Sequence, residues 1–235
     1  MSLILSAHQP AYLPWLGYFD KILRAEIFVF LDHVQFEKNS FINRNQIKTP
    51  SGPAWLTVPV LSKGHMKSSI AETRVDEQQP WRSKHLKTLS HNYARAPCFE
   101  ERFIRLQALY AVPGHSIADI CWNQLRFWLD EVGCKTRMVR SSTLRIAARK
   151  SDLILDLCRH FGATHYISGA LGKDYLEEGV FKQAGVDIEY QEFCPPDYQQ
   201  LHGEFIPNLS IVDAWMNVDD VRGLVSECGK ARRVA

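Results

Sequence analysis

Apolar positions along this chain come in short continuous runs and in helical stripes, separated by polar loops. Leu3-Ile4-Leu5-Ser6-Ala7 has strand length and stops abruptly at His8. Trp15, Phe19, Ile22 and Leu23 recur at helical spacing, which predicts a helix over 15–24. Ile27-Phe28-Val29-Phe30-Leu31 is a second apolar run and ends at Asp32. Strand, helix and strand in so short a span make a βαβ unit with parallel strands. Continuous rather than alternating apolar strands predict a sheet covered on both faces.

Residues 33–97 read less regularly. Thr49-Pro50-Ser51-Gly52-Pro53 is a turn by composition. Residues 55–60 read as a strand near an edge, because Pro59 has no donor for a ladder. A polar excursion over 62–79 follows, then helices over 81–93 and 98–109. Ser116 caps a long helix that turns Ile117, Ile120, Cys121, Leu125, Trp128 and Leu129 inward and closes at Gly133. The last third alternates: strand 137–144, a helix from a Ser151 cap to Phe161, strand 164–168, helix 174–184 and strand 188–193. Alternation of this kind predicts an α/β fold with a mainly parallel, Rossmann-like sheet flanked by helices. The expected organisation is a single α/β domain over 1–235 with a helical insertion at about 80–133.

Of 235 residues, 46% are hydrophobic and 23% charged, a balance that builds a core and excludes wholesale disorder. A net charge of +2 does not point to nucleic acid by itself. Cysteines at 98, 121, 134, 158, 194 and 228 show neither C-x-x-C nor zinc-like spacing, so reduced thiols and no metal site are expected. No basic leader followed by an apolar core is visible, and no apolar run approaches the ~20 residues of a membrane span. The expectation is a cytoplasmic protein without a membrane partner.

Candidate chemistry gathers at strand ends. The loop His8-Gln9-Pro10-Ala11-Tyr12-Leu13-Pro14-Trp15-Leu16-Gly17-Tyr18 follows the first strand, where α/β folds place their ligands. His8 can bind a phosphate or act as acid and base. Gln9, Tyr12, Trp15 and Tyr18 can wall a pocket for a base or sugar ring, or else simply cap the sheet. Ser168-Gly169-Ala170-Leu171-Gly172-Lys173-Asp174 is a strand end with two glycines and a lysine. There, backbone amides and Lys173 suit an anion, and Asp174 can cap the next helix. The sequence lacks the spacing and the Ser/Thr of a Walker loop. Asp32, with Asn43, Arg44 and Asn45, follows the second strand, and Arg44 can fork onto a carboxylate or phosphate. His202, Glu204 and Asn208 lie in a long late loop, the first two as acid-base candidates. Lys135, Arg137, Arg140, Arg145, Arg149 and Lys150 form a basic run without an acid: a solvated face, or a surface for a phosphate-rich partner.

Together these motifs resemble the WbqC-like family of bacterial proteins. The resemblance is carried by residues 8–19, Trp55–Val60, Ile167-Ser168-Gly169 with Gly172–Leu176, and Phe205–Asp213. It implies a setting in surface-polysaccharide (O-antigen) synthesis, including sugars with an acylated amine. The expected function is a transferase placing an aminoacyl or acyl group on a nucleotide-linked amino sugar or other phosphorylated small molecule. His8 and Lys173 would stabilise phosphate charge. A weaker similarity joins the opening to nucleotidylyltransferases and class I aminoacyl-tRNA synthetases, with Pro10 and Ala11 standing where that H-x-G-H motif has its glycine and second histidine. It implies an adenylate-forming or nucleotidyl-transferring alternative using ATP and Mg²⁺. A noncatalytic protein holding nucleic acid or a partner through the basic run is the third reading.

Overall fold

A computed structural model describes residues 2–61 and 68–230 of the chain. Positions 62–67 of the expected polar excursion lie outside the described residues. Five strands form one parallel sheet: β1 (Ile4–His8), β2 (Ile27–Phe30), β5 (Arg137–Arg140), β6 (His165–Ser168) and β7 (Asp187–Tyr190). Their spatial order is β5-β2-β1-β6-β7. Leu5 pairs with Ile27 on one side and Tyr166 on the other. The chain builds outward from β1 through β2 to β5, then returns to place β6 on the far side of β1. The order therefore reverses between β1 and β6, and the carboxyl ends of those strands flank the crevice where such sheets bind ligands.

Both faces of the sheet are covered, which is why its inner strands read as unbroken apolar runs. Phe28 and Phe30 point into a core shared with α1 (Leu16–Leu23), α2 (Trp81–Tyr93), α3 (Phe99–Ala111), α4 (Ile117–Glu131) and α7 (Ile211–Asn217). Leu5, Ala7, Ile27 and Val29 point into the other core, with α5 (Lys150–Phe161) and α6 (Glu178–Gln183). Period-two alternation then turns Ser6 and His8 toward α1. A short helix such as α1 is not stable alone, and its burial of Tyr18, Phe19 and Ile22 holds it in place. Val221–Lys230 forms α8.

An antiparallel hairpin, β3 (Arg44–Thr49) and β4 (Gly52–Thr57), precedes the three helices α2–α4. The expected strand over 55–60 is β4 shifted toward the turn, while the polar stretch 44–49 is a strand that the pattern did not predict. The Ser116 cap is present as a full capping box with Asp119. Two other expectations differ. Helix α5 begins one residue before Ser151, whose hydroxyl instead accepts the Glu177 amide at 3.0 Å. The helix expected over 174–184 is a 3-10 turn over Ala170–Asp174 followed by α6, so Asp174 caps no helix. A side chain at Gly172 would lie 1.9 Å from Ser168 Oγ and 3.0 Å from its Cβ, so a larger residue in the tight turn that interrupts the expected helix would have to displace Ser168. Among the described residues no helix is long and apolar enough to cross a membrane.

Candidate functional site at the sheet crossover

At the carboxyl ends of β1 and β6, where the strand order reverses, the structure brings together His8, Tyr18, Trp15, Ser168 and Gly169 with a residue the sequence reading missed, Lys21. The His8 ring packs edge-on against Tyr18, with centroids 4.9 Å apart, and against Trp15 at 5.8 Å. Its Nδ1 lies 2.9 Å from the Gln9 carbonyl, which also accepts the Tyr18 hydroxyl at 3.1 Å. A carbonyl only accepts, so Nδ1 carries the proton and the neutral ring keeps a lone pair on Nε2. Loss of water around the ring, reinforced by the nearby Lys21 ammonium, pushes His8 down to about 3. The imidazole is thus uncharged at neutral pH and can meet a ligand only as a neutral hydrogen-bonding group.

Lys21 lies on the inward face of α1, three positions after Tyr18. It is 2% exposed, and its Nζ donates to the Ala7 carbonyl at 3.1 Å. A side chain at Gly169 would begin 3.9 Å from Nζ, so the bare backbone of the β6 loop lies directly above the amine. Neighbouring Asp20 is engaged elsewhere, by Gln191 Nε2 at 2.6 Å and by Arg24 at 3.7 Å. Burial pushes Lys21 down to about 7. An ammonium held out of water with one carbonyl partner is costly unless an anion completes its shell. The same Gln191, just past β7, donates to the Gly17 carbonyl at 2.8 Å and pins the start of α1. Gly17 is tight for a related reason: a side chain there would meet Phe193 at 2.8 Å and Trp15 at 2.9 Å.

Lys173 is on the same edge of the sheet but farther out. It is exposed, with Nζ 5.5 Å from the centre of the Tyr190 ring on β7. The lysine whose charge acts on His8 is Lys21. Ser168 is buried, donating to the Gly169 carbonyl at 3.1 Å, and Asp174 is exposed.

Other expected site residues are structural here. Tyr12 points away from His8 into the α2–α3 core, where its hydroxyl meets His85 Nδ1 at 2.8 Å and the Tyr110 hydroxyl at 2.6 Å. His85 Nε2 donates to the Thr57 carbonyl at 3.2 Å, so Tyr12 donates to Nδ1 and accepts from Tyr110. Burial lowers His85 to about 4 and raises both tyrosines. Asp32 is fully buried, and both oxygens are consumed by Arg140 Nε (2.7 Å), the Ser141 hydroxyl (3.1 Å), and the Ser142 amide and hydroxyl (2.8 Å each). That clamp ties the ends of β2 and β5 together and leaves no lone pair for a ligand. Asn45 donates to the Leu13 carbonyl at 2.7 Å and Asn43 to Val58 at 2.9 Å, fixing the first loop against the hairpin. Arg44 lies over Trp55, its guanidinium carbon 4.2 Å from the ring centre, and donates from one terminal nitrogen to the Asn39 carbonyl.

The late loop is fastened by a second buried lysine. Lys48 Nζ donates to Gln200 Oε1 at 3.0 Å and to the carbonyls of Gly203 and Glu204. Asp213 accepts the Tyr93 hydroxyl at 2.7 Å and the Tyr198 hydroxyl at 2.9 Å, and burial holds its pKa up. His202 is spent on the Asn92 carbonyl at 2.8 Å, and the exposed Glu204 lies beside the hairpin rather than with His8. Asn208 lines a shallow recess with Leu16 and Phe193, next to the start of α1. The basic run is also divided. Arg140 serves Asp32 and Asp119, Arg137 lies 5.9 Å from the Phe161 ring, and Arg145, Arg149 and Lys150 face solvent.

The chain is 34% identical to the "Uncharacterized protein Rv1507c" of Mycobacterium tuberculosis (strain ATCC 25618 / H37Rv) over 212 residues, covering 89% of this chain and 91% of that protein. No solved structure gives a significant match. The model of the WbqC-like protein family matches residues 9–222, from the loop after β1 into α8, and the chain belongs to that family.

Proposed function

We propose that this protein is a transferase that attaches an aminoacyl or acyl group to a nucleotide-linked amino sugar during synthesis of a bacterial surface polysaccharide. One observation carries the reading: a buried amine without a carboxylate partner among the described residues, Lys21, lies beside the neutral imidazole of His8 under the bare backbone of Gly169. The polysaccharide setting is what the resemblance to the WbqC-like family implies, and membership of that family supports it. A phosphate or a developing oxyanion in the crevice completes the shell of Lys21, and Lys173 adds a second cation at the rim. The sugar's amine attacks the acyl carbonyl carbon. The new C–N bond forms as the bond to the acyl carrier breaks, and the amine's proton leaves with the departing group, while neutral His8 Nε2 accepts a hydrogen bond from the attacking amine and orients it. A lone pair on Nε2 is required for that hydrogen bond.

Mass spectrometry of nucleotide-linked amino sugars incubated with activated acyl donors tests the reading. The expected result is one added acyl group, lost with either His8→Ala or Lys21→Met by on the order of a hundredfold or more in rate. Full activity in folded forms of both variants would remove these residues from the chemistry. Pyrophosphate released from ATP in the presence of a carboxylic acid, without transfer, would instead mark the adenylate-forming alternative.

A further inference from the structure

The rings at His8 do not stop at the crevice. Trp15 continues to Phe41, with centroids 5.5 Å apart and planes tilted 50°, and Phe41 continues to Trp55 at 5.7 Å and 49°. The outer two rings are exposed to an unusual degree for large apolar side chains, Phe41 46% and Trp55 42%. They stand on well-packed backbone: the amide of Tyr12 donates to the Phe41 carbonyl at 2.9 Å, and Trp55 pairs with Gln46 across the hairpin. Arg44 covers one side of Trp55, its Nε shut away from solvent without a hydrogen-bond partner and a terminal nitrogen on the Asn39 carbonyl. That guanidinium fixes the orientation of the outermost ring at a cost in unmet hydrogen bonding.

We propose that Trp15, Phe41 and Trp55 form a strip that binds the nucleobase of a nucleoside diphosphate whose phosphates rest at His8 and Lys21, with Arg44 as the positioning residue for Trp55. The inference rests on the crevice as the phosphate site. Continuity selects this occupant: the strip begins at the ring packed against His8 and leads outward, as a base tethered to a bound phosphate requires. Aromatic faces hold a planar base through stacking whatever its edge pattern, so the strip supplies affinity and the base's identity is set elsewhere.

Calorimetric titration of the full chain with uridine, thymidine, guanosine and adenosine diphosphates, and with inorganic pyrophosphate as the ringless comparator, separates strip from crevice. At least one nucleoside diphosphate is expected to bind tenfold or more tighter than pyrophosphate. Trp55→Ala should remove on the order of tenfold from that nucleotide's affinity and leave pyrophosphate unchanged, which also shows the variant is folded. Arg44→Met should lose part of the same increment. Lys21→Met should weaken both ligands. Equal affinity for nucleotide and pyrophosphate, or an equal effect of Trp55→Ala on both, overturns the strip while leaving the crevice standing. Pyrophosphate binding indifferent to Lys21→Met overturns the crevice. Self-association abolished by Trp55→Ala would make the strip an interface between copies and overturn the proposal.

Discussion

Replacing Lys21 by methionine should make this protein more stable and less able to bind an anion. Burial lowers the Lys21 pKa from 10.5 to about 7. Because the folded value lies below the unfolded one, the unfolded chain binds more protons between those limits, and stability rises with pH there. The penalty is fully present below pH 7 and vanishes above pH 10.5. A shift of this size amounts to on the order of 4 kcal/mol at pH 7. Methionine has a similar shape and no charge, but it forfeits the bond to the Ala7 carbonyl, about 1 kcal/mol. Lys21→Met should therefore gain roughly 2–3 kcal/mol at pH 7, with the advantage shrinking steadily toward pH 10. Urea denaturation of both proteins at intervals from pH 6 to about 9.5 measures the difference, in which the other titrating groups largely cancel. A difference independent of pH, or a variant less stable than the parent at pH 7, would refute the claim that the amine is buried without a compensating partner.

Four other outcomes are expected. Tyr12→Phe breaks the Tyr110–Tyr12–His85 chain and should cost about 1–2 kcal/mol in a denaturant melt while leaving nucleotide affinity within about twofold, since the ring faces the α2–α3 core. Asp32→Ala leaves Arg140 with Asp119 alone and removes the acceptor of the Ser142 amide and hydroxyl, and should cost about 1–3 kcal/mol by the same measurement. Gly172→Ala forces a methyl against Ser168 Oγ and should cost about 1–3 kcal/mol, with part of the loss recovered in the Ser168→Ala background. The His8 imidazole should stay neutral down to about pH 4 in an NMR titration of the parent and titrate at higher pH in Lys21→Met, because the ammonium that opposes its protonation is gone.

The parallel sheet was legible because β1 and β2 are buried on both faces, which writes continuous apolar runs into the sequence. The long α4 was legible because Ser116 and its inward stripe obey helix chemistry without exception. Strand β3 was hidden by its own burial pattern: Asn45 and Lys48 are inside, bonded to Leu13 and to the late loop, so polar letters occupy inward positions. The site was half visible. His8 stands out where an apolar strand ends among prolines and aromatics, and Gly169 marks the matching end of β6. Lys21 carried a weak signal, three residues after Tyr18 and four after Gly17 on the inward face of a helix. A lysine in a helix is ordinarily solvated, and only the packing of α1 against β1 shows this one is not. Lys173, the more conspicuous lysine in a glycine-rich turn, lies over Tyr190 instead. Tyr12 misled because a tyrosine in an aromatic loop reads alike whether its hydroxyl meets a ligand or a buried histidine.

Proton uptake on ligand binding tests the crevice most directly. At pH 8 a Lys21 amine with a pKa of about 7 is mostly uncharged, and an anion seated beside it draws a proton from the buffer. Titration of the best-binding nucleoside diphosphate in two buffers of different protonation enthalpy should show close to one proton taken up by the parent and far less by Lys21→Met. The same uptake in both proteins, or none in the parent, would contradict the assignment of Lys21 as the buried anion receptor beside His8.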